Sequence, residues 1–252
     1  MTQKSAAAHP KMLGQTALAS NTPDGPVQLQ ADVYQLVLPQ GAVSGNEAFW
    51  KRVDEQAVDV ATYDLLYKNG VRVGVAPIAE WDRFRELIAE HPATTKANTL
   101  IGADAKVIEL PVRKEVRAQT IWYFDARNDS IGRTYDECEN FVTMTLQSAP
   151  RKAGTMRVAL CPVVKSARKR LEFTSLNREL GELQYVAPER LYDMNLRVDV
   201  PPDQFLIVAP SSEAAWPTSI GNTFFITNGP AERMEHVLLI VPRTIKIVAG
   251  GK

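Results

Sequence analysis

Apolar and polar positions alternate along some segments of the chain and recur at helical spacing in others. Residues 33–38 and 71–75 alternate and are rich in β-branched side chains, which predicts two strands. Residues 59–68 and 80–91 carry apolar side chains on one face of a helix. This mixture predicts a small α/β module over residues 31–95.

Local signals suggest where these helices begin and end. Ser44 and Glu47 have the spacing of a capping box, which predicts a helix that begins just after them. Asn69 and Gly70 are typical of the left-handed stop at a helix C-terminus, so the helix over 59–68 is predicted to end there.

After residue 92 the pattern changes to strands separated by turn residues. Residues 93–98 are predicted to be a linker, and residues 127–130 and Pro201–Pro202 are predicted to connect strands. Strands are predicted over residues 106–110, 116–124, 141–147, 156–164, 170–173, 195–200, 205–208, 237–241 and 245–248.

These patterns predict an α+β fold with three parts. Residues 1–30 are rich in small and polar residues and are predicted to be a flexible segment. The α/β module over 31–95 follows, and residues 96–252 are predicted to form a mainly antiparallel, sandwich-like β domain.

Composition and charge exclude several classes of protein. The 29 Lys and Arg residues balance the 29 Asp and Glu residues, so no overall field favours nucleic acid or an anionic membrane surface. No apolar run approaches the roughly 20 residues of a transmembrane helix. A cytoplasmic location is the default expectation, and a periplasmic or envelope location is expected if a leader has been removed. Cys138 and Cys161 are predicted to be buried thiols.

Residues that usually carry catalysis are few and scattered. His9, His91 and His236 are far apart in sequence, and neither a GxSxG motif nor a GxxxxGK[ST] phosphate loop occurs. Gly70 and Gly74 are explained by a helix stop followed by a strand. We therefore predict no enzymatic activity and no cofactor. An enzyme that brings His91 or His236 together with a carboxylate and a hydroxyl in space stays open as a third alternative.

The remaining acidic and aromatic candidates are explained by structural roles. Asp136, Glu137 and Glu139 are predicted to lie in a solvated turn or short helix, and no metal site is proposed there. Trp50, Trp81 and residues 122–124 (WYF) are predicted to be core.

One local concentration of charge stands out. Lys165, Arg168, Lys169 and Arg170 lie between two predicted strands, where they favour a solvated hairpin tip. The functional alternative is a loop that docks an anion or a partner protein. No nucleic-acid binding is predicted, because the run lacks interleaved aromatic residues that would stack on bases.

The last hundred residues contain a characteristic order of segments. The strand-like segments 158–164, 196–200 and 205–208 come first, and residues 219–225 (SIGNTFF) and 231–245 (AERMEHVLLIVPRTI) follow. This order resembles the secretin domain, the ring-forming β module of bacterial outer-membrane secretion channels, in which Leu-Gly…Leu-Phe, Glu-Arg-x-Glu and Thr-Pro-Arg elements follow one another.

The resemblance implies a non-enzymatic structural or assembly protein, such as a ring-forming component of a bacterial envelope complex. Alternating hairpins of a membrane barrel are not recognisable between residues 156 and 195, so it implies a member that keeps the interlocking sandwich without the pore. Expected partners are further copies of the chain or another protein. The alternative is a monomeric module that binds a peptide or glycan in an interdomain groove.

Overall fold

The computed structural model of the chain describes residues 27–89, 94–103, 106–150, 152, 154–174 and 179–247. The helices are α1 (Glu47–Trp50), α2 (Val60–Lys68), α3 (Trp81–Ala89) and α4 (Ile220–Phe225). The strands are β1 (Val27–Pro39), β2 (Val71–Pro77), β3 (Thr94–Ala103), β4 (Val107–Phe124), β5 (Ser130–Ser148), β6 (Met156–Thr174), β7 (Glu179–Arg190), β8 (Leu196–Val200), β9 (Gln204–Pro210), β10 (Ile226–Asn228) and β11 (Arg233–Ile247).

The first sheet, sheet A, joins the two ends of the described chain. Its strand order is β2-β9-β11-β1-β3, with β10 also paired to β11, and its pairings are antiparallel. Val27 lies opposite Ile247 in the pairing of β1 with β11. These pairings cross the predicted boundary at residue 95, and the division of the chain into separate folding units stays a prediction.

The second sheet, sheet B, has the order β4-β5-β6-β7, with β8 paired to the beginning of β6. The pairing of β5 with β6 ends at Cys138 and Ser166, and beyond this point the sheet forks. Residues 118–137 continue as a two-stranded β4–β5 arm, and residues 167–174 and 179–186 continue as a β6–β7 arm. Glu137, at the fork, has a φ of 42°, a left-handed conformation that is typical of an irregularity in a strand.

The core lies on both faces of sheet A. One cluster fills the space between the sheets and includes Val33 and Leu206 of sheet A and Leu160 of sheet B. A second cluster packs Phe49 of α1 and Phe84 of α3 against the opposite face of sheet A. The α+β class with a mainly antiparallel, sandwich-like arrangement of strands is thereby confirmed.

The predicted end of α2 is confirmed, and its local chemistry explains it. Asp59 caps the N-terminus by accepting a hydrogen bond from the Thr62 N–H at 3.0 Å. Asn69 is the C-terminal cap, and Gly70 has a φ of 87°, a conformation that glycine adopts without steric cost. The turn after β4 is also confirmed, with Asn128 at a φ of 67°.

The predicted capping box is wrong. Asn46 caps α1 by accepting a hydrogen bond from the Phe49 N–H at 3.1 Å. The Ser44 hydroxyl instead donates to the fully buried Glu235 carboxylate at 2.6 Å, and the Val43 N–H donates to the same carboxylate at 2.5 Å. The prediction failed because Glu235 comes from β11, far away in sequence, and supplies a better acceptor than the local side chain does.

Three further interpretations of the sequence need correction. Residues 94–98 are part of β3, not a linker, because they complete the free side of β1. Asp136, Glu137 and Glu139 lie within β5 and not in a turn or short helix. Lys165, Arg168, Lys169 and Arg170 lie inside β6 and not in a loop, because the run contains no Gly, Pro or Asn that would turn the chain.

Candidate interaction surface

An open groove of about 450 Å³ lies where the end of α2, the β4–β5 arm and the segment before α4 meet. Its most prominent side chains are Trp122 and Trp216, which are 51% and 69% exposed. Exposed aromatic side chains that lie together in a groove are typical of sites that contact another molecule. We call this the aromatic groove; its lining is Lys68, Asn69, Trp122, Tyr123, Phe124, Ser130, Glu213, Trp216, Thr218 and Ser219.

Trp122 forms a fixed platform in the groove. It lies opposite Gly132 in the β4–β5 pairing, and a β-carbon on Gly132 would come within 2.7 Å of its ring carbons. The backbone N–H of Trp122 donates a hydrogen bond to the Thr218 carbonyl at 2.8 Å. The prediction that Trp122 is a core residue is therefore wrong: Ile121 and Tyr123 are buried on one face of the strand, and alternation places Trp122 on the other.

Trp216 is held by the segment that leads into α4. It follows a 3-10 helix over Ser212–Ala215, and its N–H donates to the Glu213 carbonyl at 3.2 Å. The hydroxyl of Ser219 donates to the Trp216 carbonyl at 2.9 Å, and Ser219 also caps α4. Because the backbone is fixed on both sides of Trp216, its exposure does not come from a loose loop.

Asn69 connects the end of α2 to the end of β4 at the floor of the groove. Its side chain donates to the Phe124 carbonyl at 2.9 Å and accepts from the Phe124 N–H at 2.8 Å. The same amide nitrogen donates to the Leu65 carbonyl at 2.8 Å, and Asn69 is only 1% exposed. Gly221 packs so closely on Gly70 that a β-carbon at 221 would lie 1.9 Å from the Gly70 carbonyl oxygen.

A second hollow of about 350 Å³ adjoins the aromatic groove and shares Lys68 with it. Three carboxylates line this acidic hollow: Asp64 on α2, Asp125 at the end of the β4–β5 arm, and Asp193. Within the described part of the chain, Asp64 and Asp193 form no ion pair. The backbone N–H groups of Asp129 and Arg127 hold the pKa of Asp125 below its ordinary value, so this carboxylate is charged near neutral pH.

Lys68 lies between the aromatic groove and the acidic hollow, and its ammonium already has two partners. Its ammonium lies 3.6 Å from the centre of the Phe124 ring and donates a hydrogen bond to the Asn128 side chain. Arg127 also pairs with Asp125, its Nε 3.4 Å from a carboxylate oxygen, so two of the three carboxylates of the hollow, Asp64 and Asp193, are left to attract a cation.

The residues of the predicted docking loop lie on the other arm of the fork. Lys165 is at its base, where the ammonium lies 2.5 Å from a Glu109 carboxylate oxygen and 4.4 Å from the centre of the Phe141 ring. Arg168, Lys169 and Arg170 follow in β6, where the strand pairs with β7. Their role in docking stays a prediction.

The groups considered for catalysis do not converge in the described structure. His236 Nε2 lies 2.9 Å from the Thr227 hydroxyl, and burial lowers the pKa of the ring, with Arg113 adding to the effect. His9 and His91 lie outside the described residues. The neighbouring Glu235 carboxylate accepts hydrogen bonds from the loop around Val43, so it is not a hydrogen-bond partner of His236.

Buried thiols are confirmed, because Cys138 and Cys161 are both free and buried. Burial raises the pKa of both thiols, which disfavours the reactive thiolate. Among the described residues no cluster of three His, Cys, Asp or Glu side chains could hold a metal ion. No helix in the described ranges is long and apolar enough to span a membrane.

No family model matches the chain, and no curated protein matches it. One similar solved structure is the InvG secretin domain β-barrel of the Salmonella SPI-1 injectisome, at 8% identity and a TM-score of 0.22 over 90% of this chain and 65% of that chain. Another is the Klebsiella pneumoniae type II secretion system outer membrane complex, at 12% identity and a TM-score of 0.21 over 89% of this chain and 41% of that chain.

Secretin structures are thus among those to which this chain is similar, and the chain spans less than two thirds of the length of these matches. At TM-scores this low the likeness supports no argument about function. Membership of the secretin family, suggested by residues 219–225 and 231–245, stays a prediction.

Proposed function

We propose that this chain is a non-enzymatic assembly protein that pairs with further copies of itself through open sheet edges. In this proposal it is a ring-forming component of a bacterial envelope complex. The envelope setting comes from the sequence pattern over residues 219–245. The strand edges support the self-association.

The observation that carries the proposal is the edge of sheet A at β3. In the described residues β3 pairs with β1 alone, so its other side presents unpaired N–H and carbonyl groups over Thr94–Ala103. Its sequence contains a single charged residue, Lys96. Exposed strands of this length usually carry charges or prolines that discourage pairing with another chain.

The other strand borders are better protected. A bridge between Asp54 and Val75 covers part of the β2 border, and the Thr218 carbonyl covers the end of β4 at Trp122. Strand β7 contains four charged residues and Pro188, which discourage pairing. The contrast indicates that β3 is the border most suited to be completed by a second chain.

Pairing between non-identical borders of successive copies generates a closed ring when the rotation closes. Such closure leaves no unpaired edge, which is the physical reason for a β-rich protein to assemble in this way. No nucleic acid is expected as a partner, given the balanced net charge.

The proposal is tested by the mass of the protein in solution. We expect size-exclusion chromatography with light scattering to give a discrete high-order species that Thr99→Lys shifts toward smaller assemblies. Thr99 lies opposite Asp32 on β1, so the lysine adds charge to the open border. Thr134→Lys is the matched control, because Thr134 is exposed on the β4–β5 arm. A strictly monomeric wild-type protein at high concentration would overturn the proposal.

The aromatic groove favours a second candidate function, a monomeric module that binds a peptide or glycan. The groove lies between Lys68 and Asn69 of the predicted α/β module and Trp122 of the predicted β domain. This candidate predicts a monomer whose tryptophan fluorescence changes when an oligosaccharide or a proline-rich peptide is added. An unchanged spectrum with both probes counts against it.

A further inference from the structure

We propose that the aromatic groove is a binding site for a neutral saccharide, which stacks on Trp122 and Trp216. This inference goes beyond the assembly function. It rests on the second candidate function, ligand binding in the groove, and names the class of ligand. The saccharide is a chain of pyranose rings with equatorial substituents, such as a β-1,4-linked glucan or chitin oligosaccharide.

Trp122 presents one flat side of its indole to the groove. The Cζ2, Cη2 and Cζ3 atoms of its ring are each 2.7 Å from the point where a β-carbon on Gly132 would lie. A point equally distant from three carbons of one ring lies on the axis through the centre of that ring, so Gly132 faces the other flat side. Alternation along β4 turns Trp122 away from the buried Ile121 and Tyr123. The open side is therefore a flat aromatic face that the protein supports from behind.

A flat aromatic face selects ligands with an apolar surface of C–H groups. A pyranose ring whose substituents are equatorial has axial C–H groups on both sides. The face of an aromatic ring is electron-rich and attracts the positive ends of such bonds. Trp216 lines the same groove and is 69% exposed, so a ligand of several rings has two aromatic contacts available.

The groove also supplies free polar groups for sugar hydroxyls. Its lining includes the Glu213 carboxylate and the Ser130 and Thr218 hydroxyls. Among the described residues, these three side chains form no hydrogen bond or ion pair. A carboxylate accepts hydrogen bonds, and a hydroxyl both donates and accepts them, as a sugar hydroxyl does. Aromatic faces beside such groups match the alternating apolar and polar surface of a saccharide.

The backbone beside the groove offers little to an extended peptide. The N–H of Trp122 is bonded to the Thr218 carbonyl, and the N–H and carbonyl of Phe124 are both bonded to the Asn69 side chain. An extended peptide that adds to a sheet gains affinity from main-chain hydrogen bonds. Because these groups already have partners, the groove favours a ligand that is recognised by stacking and by side chains.

Charge and size both fit a neutral oligosaccharide. Lys68 and Glu213 are the charged residues of the lining, and their charges balance. The adjoining hollow carries Asp64 and Asp193, which repel an anionic ligand such as nucleic acid or an acidic polysaccharide. The groove volume of about 450 Å³ lies in the range of roughly 300–1,000 Å³ that is typical of small-ligand sites.

Isothermal titration calorimetry with two neutral probes, cellotetraose and tetra-N-acetylchitotetraose, tests the inference. We expect wild type to bind at least one of them. Trp122→Ala and Trp216→Ala should each weaken binding roughly tenfold, because each removes an aromatic contact. Trp122→Phe keeps an aromatic ring opposite Gly132 and should bind within about threefold of wild type.

Matched controls make the same changes outside the groove lining. Tyr192→Ala removes an aromatic side chain that is 71% exposed, and it should bind like wild type. Glu213→Gln replaces a charged acceptor by a neutral one and should weaken binding about fivefold. Glu232→Gln, at an exposed position, should have no effect. Far-ultraviolet circular dichroism checks that each variant folds, and Trp216→Ala with Glu213→Gln keeps the test valid if Trp122→Ala does not.

The outcomes separate this inference from the proposed function. Failure of wild type to bind either saccharide, or binding that neither tryptophan change weakens, overturns the inference. Binding of a proline-rich peptide alone also overturns it but leaves ligand binding in the groove standing. Light scattering on the same samples measures self-association independently. A protein that assembles without binding a saccharide contradicts this inference alone, and a monomer that binds one contradicts only the assembly function.

Discussion

The side chain of Asn69 pairs with the backbone of Phe124 as a neighbouring strand would. Its amide oxygen accepts the Phe124 N–H and its amide nitrogen donates to the Phe124 carbonyl, at 2.8 and 2.9 Å. Asn69 ends α2 on the sheet A side, and Phe124 ends β4 in sheet B. One side chain therefore ties the end of α2 to sheet B below the aromatic groove.

Replacing Asn69 by Asp should destabilise the protein. The carboxylate accepts the Phe124 N–H but donates to neither the Phe124 nor the Leu65 carbonyl, and it places a charge in a buried site. We expect a loss of about 2–4 kcal/mol in the free energy of unfolding by urea titration. The exposed Asn228→Asp is the control and should change stability little; equal losses in both variants would contradict this account.

Gly221→Ala should be more disruptive than its single methyl group suggests. The new β-carbon would lie 1.9 Å from the Gly70 carbonyl oxygen, so α4 and the end of α2 must separate. We expect a loss of about 3 kcal/mol or more, at the upper end of overpacking effects. Gly45→Ala is the control, because the nearest atom to its new β-carbon would be 3.2 Å away. It should lower the thermal stability less than Gly221→Ala does. A smaller loss of stability for Gly221→Ala than for Gly45→Ala would refute the close contact.

Stability should fall as the pH drops from about 7 to 5, because burial lowers the pKa of His236. The unfolded chain takes up the proton first, near the ordinary histidine pKa of about 6.5, so it binds more protons than the folded state in this window. His236→Gln can keep the hydrogen bond to Thr227 and should flatten the slope. Urea unfolding at the two pH values measures this, and identical slopes would exclude His236 as the cause.

A separate loss of stability is expected at lower pH. Arg157 binds the Asp199 carboxylate with nitrogen–oxygen distances of 2.7 and 3.2 Å and lowers its pKa. This contribution is present above the ordinary aspartate pKa of about 3.9 and is lost as the pH falls through the lower, folded-state value. Asp199→Asn should reduce the pH dependence below about 4 and leave the window from 7 to 5 unchanged.

The two thiols should resist modification in the native protein. Burial raises the pKa of Cys138 and Cys161, so little thiolate is present and neither sulfur is accessible. We expect a thiol reagent such as Ellman's reagent to label neither residue until the chain unfolds, and to label both in denaturant. Rapid labelling of one thiol under native conditions would show that its strand opens locally.

Elements defined by short-range chemistry could be predicted from the sequence. Helix α2 has apolar residues on one face, Asp59 at its start and Asn69 with Gly70 at its end, and all of these signals lie within the element. The strands β8 and β9 were predicted because Pro201 and Pro202 separate two apolar runs. Such signals need no knowledge of the tertiary partner.

Features that depend on distant partners could not be predicted in the same way. Strand β3 has a weak pattern of its own and forms because β1 offers a free border. Ser44 was assigned to a helix cap because the sequence does not reveal that Glu235 reaches the same loop.

The aromatic groove was missed, although a signal for Trp122 existed. Ile121, Trp122 and Tyr123 are all apolar, but strict alternation in a strand places the middle residue on the opposite face from its neighbours. For Trp216 no comparable signal exists, since its exposure follows from a turn between the 3-10 helix and α4.

The pairing of Val27 with Ile247 governs how the chain can acquire its structure. As the ribosome releases the chain, β1 appears before the other described strands, and its neighbour β11 appears after all of them. Until then β1 has an unsatisfied side and attracts other strands, including those of neighbouring nascent chains. We therefore expect slow folding after synthesis and a need for chaperones, as is typical when contacts join distant residues.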